Sequence, residues 1–256
     1  MKAFGAAAVL AALAAAETDH WAVVIANSKG YSYYGHQANT SHAVKLLLDN
    51  GVPREHIIHF AYDDVAYDRD HCNPFPGKLF NKPSMDAEGE NVYDYSEIDY
   101  RGPDVNKSNF LRAMLGDSKA EGPVLKSTKD SKVFLYMVGH GSSGVVPMPE
   151  GHAEDWLYAD ELNETINRMK EKELFKELLI YMDTDESGSM FPYLKAHDNV
   201  IAVASARPAE SSWASYCGTE AIINGHHMGT CLGTRFSTNW IENSEQCSDE
   251  NETLND

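Results

Sequence analysis

The 256-residue chain carries a formal net charge of −18, with 43% hydrophobic and 23% charged residues. That length and balance suit one substantial globular domain with its own apolar core. The acidic excess argues against nucleic acid or an anionic membrane surface as partner, because phosphates and this surface repel each other.

Taken in order, the chain opens with Lys2 ahead of the run AFGAAAVLAALAAA, which ends in Ala14-Ala15-Ala16. A basic residue, a short apolar run and a small-x-small end predict a cleaved signal peptide over residues 1–16 and a mature domain over 17–243. The run is short for a membrane span and no later segment is long and apolar enough, so no span is expected. Strand-length apolar runs lie at His20–Ala26, His56–Ala61, Lys132–Val138, Glu177–Met182 and Asn199–Ser205. Helical periods alternate with them at Gln37–Asn50, Asn106–Leu115, Ala159–Lys172 and in a short piece after Gly188. The alternation predicts an α/β domain of three layers, α/β/α, with a mostly parallel sheet. Gly51-Val52-Pro53 stops the first helix, and Asp104 or Asn106 caps the second. Pro74–Asp99, rich in Pro, Gly and Asp, is expected to be loop, and the acidic residues 244–256 a disordered tail.

Four Asn-x-Ser/Thr sequons, at Asn39, Asn106, Asn163 and Asn251, fit a secreted glycoprotein. In an oxidising compartment Cys217 and Cys231 are expected to bridge one surface loop, with Cys72 and Cys247 either free or paired. No cysteine has metal-type spacing, and the pair His226-His227 lacks carboxylates at ligand spacing, so it reads as a solvated loop. No metal or cofactor is expected.

In sheets of this kind ligands bind beyond the carboxyl ends of the strands. Asn27–Gln37, Val138–Gly144, Asp183–Ser189 and Ser205–Ser212 are therefore expected to converge. The stretch LLIYMDTDESGSMF (Leu178–Phe191) decides the chemistry, and it has three readings. As a calcium loop it starts well, with Asp183, Asp185, Ser187 and Gly188, but the twelfth position is Leu194 instead of a bidentate Glu. As an aspartyl phosphotransfer motif it lacks the later acidic pair that would hold magnesium. The third reading pairs it with LYMVGHGSSG. A His-Gly at one strand end and a nucleophile before Glu-Ser-Gly-Ser at the next is the arrangement of caspase-like cysteine peptidases, in which the His deprotonates a thiol and backbone N–H groups receive the oxyanion.

The motifs that follow in order carry a specific resemblance. YGHQAN (Tyr34–Asn39), YDD (Tyr62–Asp64), NPFPG (Asn73–Gly77), DYRGPDV (Asp99–Val105), NFL (Asn109–Leu111), LYAD (Leu157–Asp160), ESGSMF (Glu186–Phe191) and FSTNWIEN (Phe236–Asn243) resemble the legumain family. These are asparaginyl endopeptidases, caspase-like cysteine peptidases of lysosomes and vacuoles. DYRG and GHG are also similar to the catalytic subunit of GPI transamidase. The resemblance runs from His20 to about Asn243. It implies a caspase-like fold, His140 as general base, residue 185 as nucleophile and the backbone of Gly141 as oxyanion donor. It also implies a substrate pocket containing His36, Asp183, Ser211 and Ser212.

Several positions depart from the family pattern. The cysteine before Glu-Ser-Gly-Ser is Asp185. The pocket's arginine is Gly35, and its acidic partner is Thr234, so two opposite charges have gone together; losing one alone would leave a buried charge unpaired. The family's active-site Asn is Tyr33, the residue before the catalytic His is Gly139, and Asp183 stands for Glu. No counterpart of the family's helical C-terminal prodomain, nor of the transamidase's membrane anchor, is expected. Asp185 beside His140 is expected to form an ion pair that favours imidazolium and removes the base. His36 lines the pocket or caps the first helix, while Ser187 and Ser189 cap and pack the helix that starts there.

The expectation is a legumain-like peptidase homologue of the secretory pathway, in a lysosome, vacuole or the exterior, catalytically impaired or inactive. It would hold a peptide or protein ligand in the former substrate cleft. The alternative is an active endopeptidase using His140 with a non-standard nucleophile such as Ser187, or with Asp183 and Asp185 sharing a proton to activate water.

Overall fold

The computed structural model describes residues 19–68, 73–85, 87–194 and 198–246. Five parallel strands form the central sheet: β1 (His20–Ala26), β2 (Ile57–Phe60), β3 (Lys132–Val138), β4 (Glu177–Asp183) and β5 (Val200–Ala204), in the order β2-β1-β3-β4-β5. Each lies within a residue or two of the expected span, and the fold is the α/β architecture of mostly parallel sheet and flanking helices read from the sequence.

Alternate residues of each strand face opposite layers. Val23, Ile25, Leu135, Met137, Ile180 and Met182 pack with Phe110, Met114, Leu162, Ile166 and Met169. These belong to helices α2 (Lys107–Met114) and α3 (Ala159–Glu171). Ala22, Val24, Phe134, Tyr136 and Tyr181 face the other way, against Val44, Leu46, Leu47 and Ile241. Those belong to α1 (Tyr34–Asp49) and α4 (Arg235–Gln246). With both faces covered, the strands read as continuous apolar runs. Asn106 caps α2, its side chain accepting the Asn109 N–H at 2.8 Å, and Glu161 reaches back to the Tyr158 N–H at 3.0 Å to start α3.

Three expectations change. The motif Phe236–Asn243 belongs to helix α4, which continues through Gln246; Ser244 is buried and its hydroxyl donates to the Trp240 carbonyl at 2.7 Å. The expected tail therefore loses 244–246 to a helix, and 247–256 lie outside the described residues. The piece after Gly188 is a single 3₁₀ turn, Ser187–Met190. The stretch Pro74–Asp99 is irregular apart from a 3₁₀ turn, as expected, yet Leu79, Phe80, Val92, Tyr93 and Ile98 are buried in a second apolar cluster with Tyr31, Tyr34, Ile223 and Leu232.

That second cluster takes in Tyr34 and Ala38 of α1, and the polar residues beside them are buried as well. Asn39 is fully buried, donating to Thr234 Oγ1 at 2.7 Å and accepting from Asn81 Nδ2 at 2.8 Å. The sequon at Asn39 is thus no surface site. The Cys217–Cys231 disulfide is present; Cys72 and Cys247 lie outside the described residues. No helix among the described residues is long and apolar enough to cross a membrane.

The outer edge of β2 is closed by Asp99 and Tyr100, whose N–H groups both donate to the His59 carbonyl, at 2.9 and 3.1 Å. This removes an open strand edge. His59 itself is buried, donates from Nδ1 to the Glu97 carbonyl at 2.9 Å, and has no partner for Nε2 among the described residues. Burial lowers its pKa from 6.5 to about 4, against the pull of the Glu97 carbonyl and helped by Arg54 and Arg101. The unfolded chain takes up this proton first as the pH falls. Stability should therefore fall with acid between those two values, by about 1.4 kcal/mol per pH unit from this one group. Urea unfolding at neutral and acidic pH checks this. A His59→Gln chain should show a shallower decline, and one as steep as the parent's would refute the assignment.

Candidate active site

The register sets Ala26, Val138 and Asp183 side by side at the carboxyl edge of the sheet. The chain leaves β1 through Asn27, β3 through Gly139-His140 and β4 through Thr184-Asp185, so three of the expected segments converge there. Asn27 is the clasp. It is 1% exposed, and its amide donates to the carbonyls of His140 and Pro147 at 2.8 and 2.9 Å. Its Oδ1 accepts the His140 N–H at 3.0 Å. Gly139 has φ 150°, and a Cβ there would collide with Asn27 Oδ1. The clasp therefore requires glycine ahead of His140.

The next loop is set with equal tightness. A Cβ on Gly141 would collide with the carbonyl oxygen of Asp185 and with Thr184 Oγ1. Glycine here lets the His140 loop lie on the backbone of the Asp185 turn. Glu186 follows in the left-handed region, at φ 52°, held by its N–H to the Glu210 carbonyl at 2.8 Å. A non-glycine residue in this region is strained, and such strain gathers at functional sites. The backbone N–H groups of Gly141 and Asp185 donate to nothing among the described residues, which leaves two donors on adjoining loops.

The two carboxylates have different surroundings. Asp183 is 1% exposed and receives four hydrogen bonds. Ser212 Oγ donates to Oδ1 at 2.6 Å, while Ser237 Oγ at 2.6 Å, Ser237 N at 3.2 Å and Thr234 Oγ1 donate to Oδ2. Tyr136, fully buried on β3, donates to Ser237 Oγ and extends the chain into the core. Asp185 is half-buried; its Oδ1 accepts the Ser212 N–H at 2.7 Å, and Oδ2 has no partner among the described residues. Ser212 therefore ties both acids to the segment after β5.

Across the cleft, His36 is the third residue of α1. It does not cap the helix; its Nδ1 lies 2.7 Å from Ser28 Oγ, and it lines the cavity. The His140 ring stands edge-on to Tyr33 at 4.2 Å and to His36 at 5.3 Å. Burial lowers the pKa of His36 to about 3, with His140 adding to the shift. Burial also lowers that of His140, and Asp185 opposes this only in part. Both rings are neutral near neutral pH. This corrects the expected ion pair. His140 and Asp185 are both described, no hydrogen bond or ion pair joins them, and desolvation outweighs the attraction.

Tyr33, His36, His140, Asp183, Asp185 and Ser212 line one cavity of about 250 Å³, together with Trp213, Gly35, Gly233 and Thr234. Gly35 meets Gly233 backbone to backbone, so that a Cβ on Gly35 would lie 2.8 Å from the Gly233 Cα. Ser211 is exposed and does not line the cavity, so of the expected serine pair only Ser212 is brought in.

Ser187 is fully buried, its Oγ accepting the Ala206 N–H at 3.0 Å, and Ser189 Oγ accepts the Gly144 N–H at 2.7 Å. Both bond to neighbouring segments, and neither caps the 3₁₀ turn as expected or lines the cleft. Cys231 lines the cavity but is committed to its disulfide. With both oxygens of Asp183 engaged and no contact joining it to Asp185, a shared proton has no place. The site offers a neutral imidazole, two free backbone donors and a carboxylate, and no thiol among the described residues. His226 and His227 are exposed in a short antiparallel pair away from this cavity.

Sequence reasoning placed Asn27 and Ser28 in a converging segment and Ser237 in a motif, and gave none of the three a role. Asn27 had a signal, since it is the first polar residue after an apolar strand; Ser237 had none.

Comparison with known proteins places the site in context. Residues 20–256 match the profile described as Peptidase C13 family. The chain is 40% identical over 227 residues to "Hemoglobinase" of Schistosoma japonicum, covering 88% of this chain and 50% of that one. It is 38% identical over 244 residues to "Vacuolar-processing enzyme delta-isozyme" of Arabidopsis thaliana, covering 93% and 50%. Against "Legumain" of Homo sapiens it is 39% identical over 231 residues, covering 88% and 49%. The chain thus spans about half the length of the curated relatives it matches.

Proposed function

The chain belongs to the peptidase C13 family, and on that premise we propose that it is a member whose nucleophile has been replaced and whose cleft now binds peptide without cutting it. The observation that carries this is Asp185. The resemblance puts the family's cysteine immediately before Glu186-Ser187-Gly188-Ser189. A carboxylate with a reference pKa near ~4 is a poor nucleophile toward an amide, and its acyl product would be a reactive anhydride.

The rest of the apparatus supports a binding role. His140 keeps a neutral ring, and Gly141 keeps an N–H with no partner among the described residues. His36, Asp183 and Ser212 line the cleft with them. Gly35 and Thr234 take the places of the charged pair that the family uses to clamp an asparagine carboxamide. We place the protein in the lumen of the secretory pathway or a lysosome or vacuole, supported by the N-terminal run and by a disulfide that needs an oxidising compartment.

Purified chain incubated with fluorogenic peptides, asparaginyl and otherwise, across acidic to neutral pH should show no turnover above background. Turnover that disappears in a His140→Ala chain would overturn the proposal in favour of a working peptidase.

A further inference from the structure

The charge in the cavity is one-sided. Asp183 and Asp185 both line it, and no lysine or arginine does among the described residues. The two histidines that could have balanced them are held neutral by burial. Asp183 contributes its charge at a distance, since Ser212, Thr234 and Ser237 engage both of its oxygens. Asp185 contributes charge and a free Oδ2.

Two aromatic rings complete the opening. Tyr33 is 45% exposed and Trp213 68% exposed, and both line the cavity. Large aromatic surface left in water beside uncompensated carboxylates is the environment that attracts a cation over a ring face. The cavity, at about 250 Å³, falls below the usual range for whole small-molecule ligands and suits a single side chain.

We infer that this cleft selects a peptide carrying a lysine or arginine side chain, with Asp185 as its counter-ion and Tyr33 and Trp213 as its walls. The inference rests on the peptide-binding reading above and adds the class of residue bound. Asp185 then gains a positive role, because it stands where a nucleophile would be and presents Oδ2 to an ammonium or guanidinium group. The overall excess of acid draws such ligands toward the surface from a distance.

Calorimetric titration of the purified chain with blocked tetrapeptides tests this, the peptides differing at one position as Lys, Arg, norleucine, Asn or Glu. The Lys and Arg peptides should bind at least ~10-fold more tightly than norleucine, a difference that shrinks in high salt. Asp185→Asn should reduce the Lys-over-norleucine preference to under ~3-fold while still binding norleucine. Trp213→Ala, at an exposed position, should weaken Lys more than norleucine. Lys and norleucine bound equally would overturn the inference and leave peptide binding standing. Asn bound best would do the same in favour of an asparagine pocket. No peptide bound at all would overturn both readings. Butylamine bound as tightly as the Lys peptide would overturn the assignment to a peptide.

Discussion

Replacing Asp185 by cysteine is expected, on the function proposed above, to raise peptide-bond hydrolysis well above the parent chain's. The substitution supplies a thiol to a site that holds a neutral imidazole and two unpartnered backbone donors. His140 lines the same cavity as residue 185 and stays neutral because burial outweighs the pull of the acid. Removing that acid leaves burial unopposed, so the ring remains a base ready to take the thiol proton. The N–H groups of Gly141 and residue 185 sit on loops in contact and are free to receive a developing oxyanion. Positioned proton transfer alone contributes roughly 10²–10⁴ in rate, so a gain of at least ~10² over the parent is the expected size. His140→Ala in the Asp185→Cys background should return the rate to the parent's. Peptides with Lys, Arg and Asn should all be offered, because residue 185 also bears on binding. An Asp185→Cys chain that folds, binds peptide and cuts none would show that the cleft has lost catalytic geometry as well as its sulfur.

Asp183→Ala is expected to be the most damaging single change in the cleft, costing about 3–5 kcal/mol of folding stability. Four donors converge on this carboxylate, from Ser212 on one side and from Thr234 and Ser237 on the other, and in its absence the buried Ser237 and Thr234 would lose their acceptor. Asp183→Asn keeps one acceptor but turns an NH₂ toward hydroxyl donors, and should cost about 2–3 kcal/mol. Asp185→Asn, half-buried with one accepted bond, should stay within about 1 kcal/mol of the parent. Urea unfolding of the three chains gives the ranking. If Asp183→Ala melted with the parent, the network would be a consequence of the fold rather than a support of it.

The sheet was legible because parallel strands buried on both faces show as plain apolar runs, and Lys132–Val138 matches its predicted span residue for residue. The strand ends that meet at the cavity followed from that, including His140, Asp183 and Asp185. What stayed hidden depended on cover from distant segments. Asn39 and His42 look like the wet face of a helix, yet they are buried against Asn81, Thr234 and Glu245 from distant segments. Helix α4 has its apolar residues at Phe236, Trp240 and Ile241, a helical spacing in a stretch otherwise polar enough to read as the approach to a tail. The His140–Asp185 relation escapes the sequence for another reason. Proximity predicts attraction, but the cost of taking an imidazolium out of water is fixed by burial that no local pattern records.

The meeting of Gly35 with Gly233 limits what a single substitution can do to this wall of the cleft. Two backbones have settled into the room that a side chain at 35 would need, at 2.8 Å from where its first carbon would stand. An arginine at 35 would require prising α1 away from the segment around Gly233, with Thr238, Asn81 and Asn39 crowding the other side of Gly233. The contact works as a lock: a side chain at 35 needs a second change in the segment around Gly233, so no single substitution there can recharge this wall of the cleft.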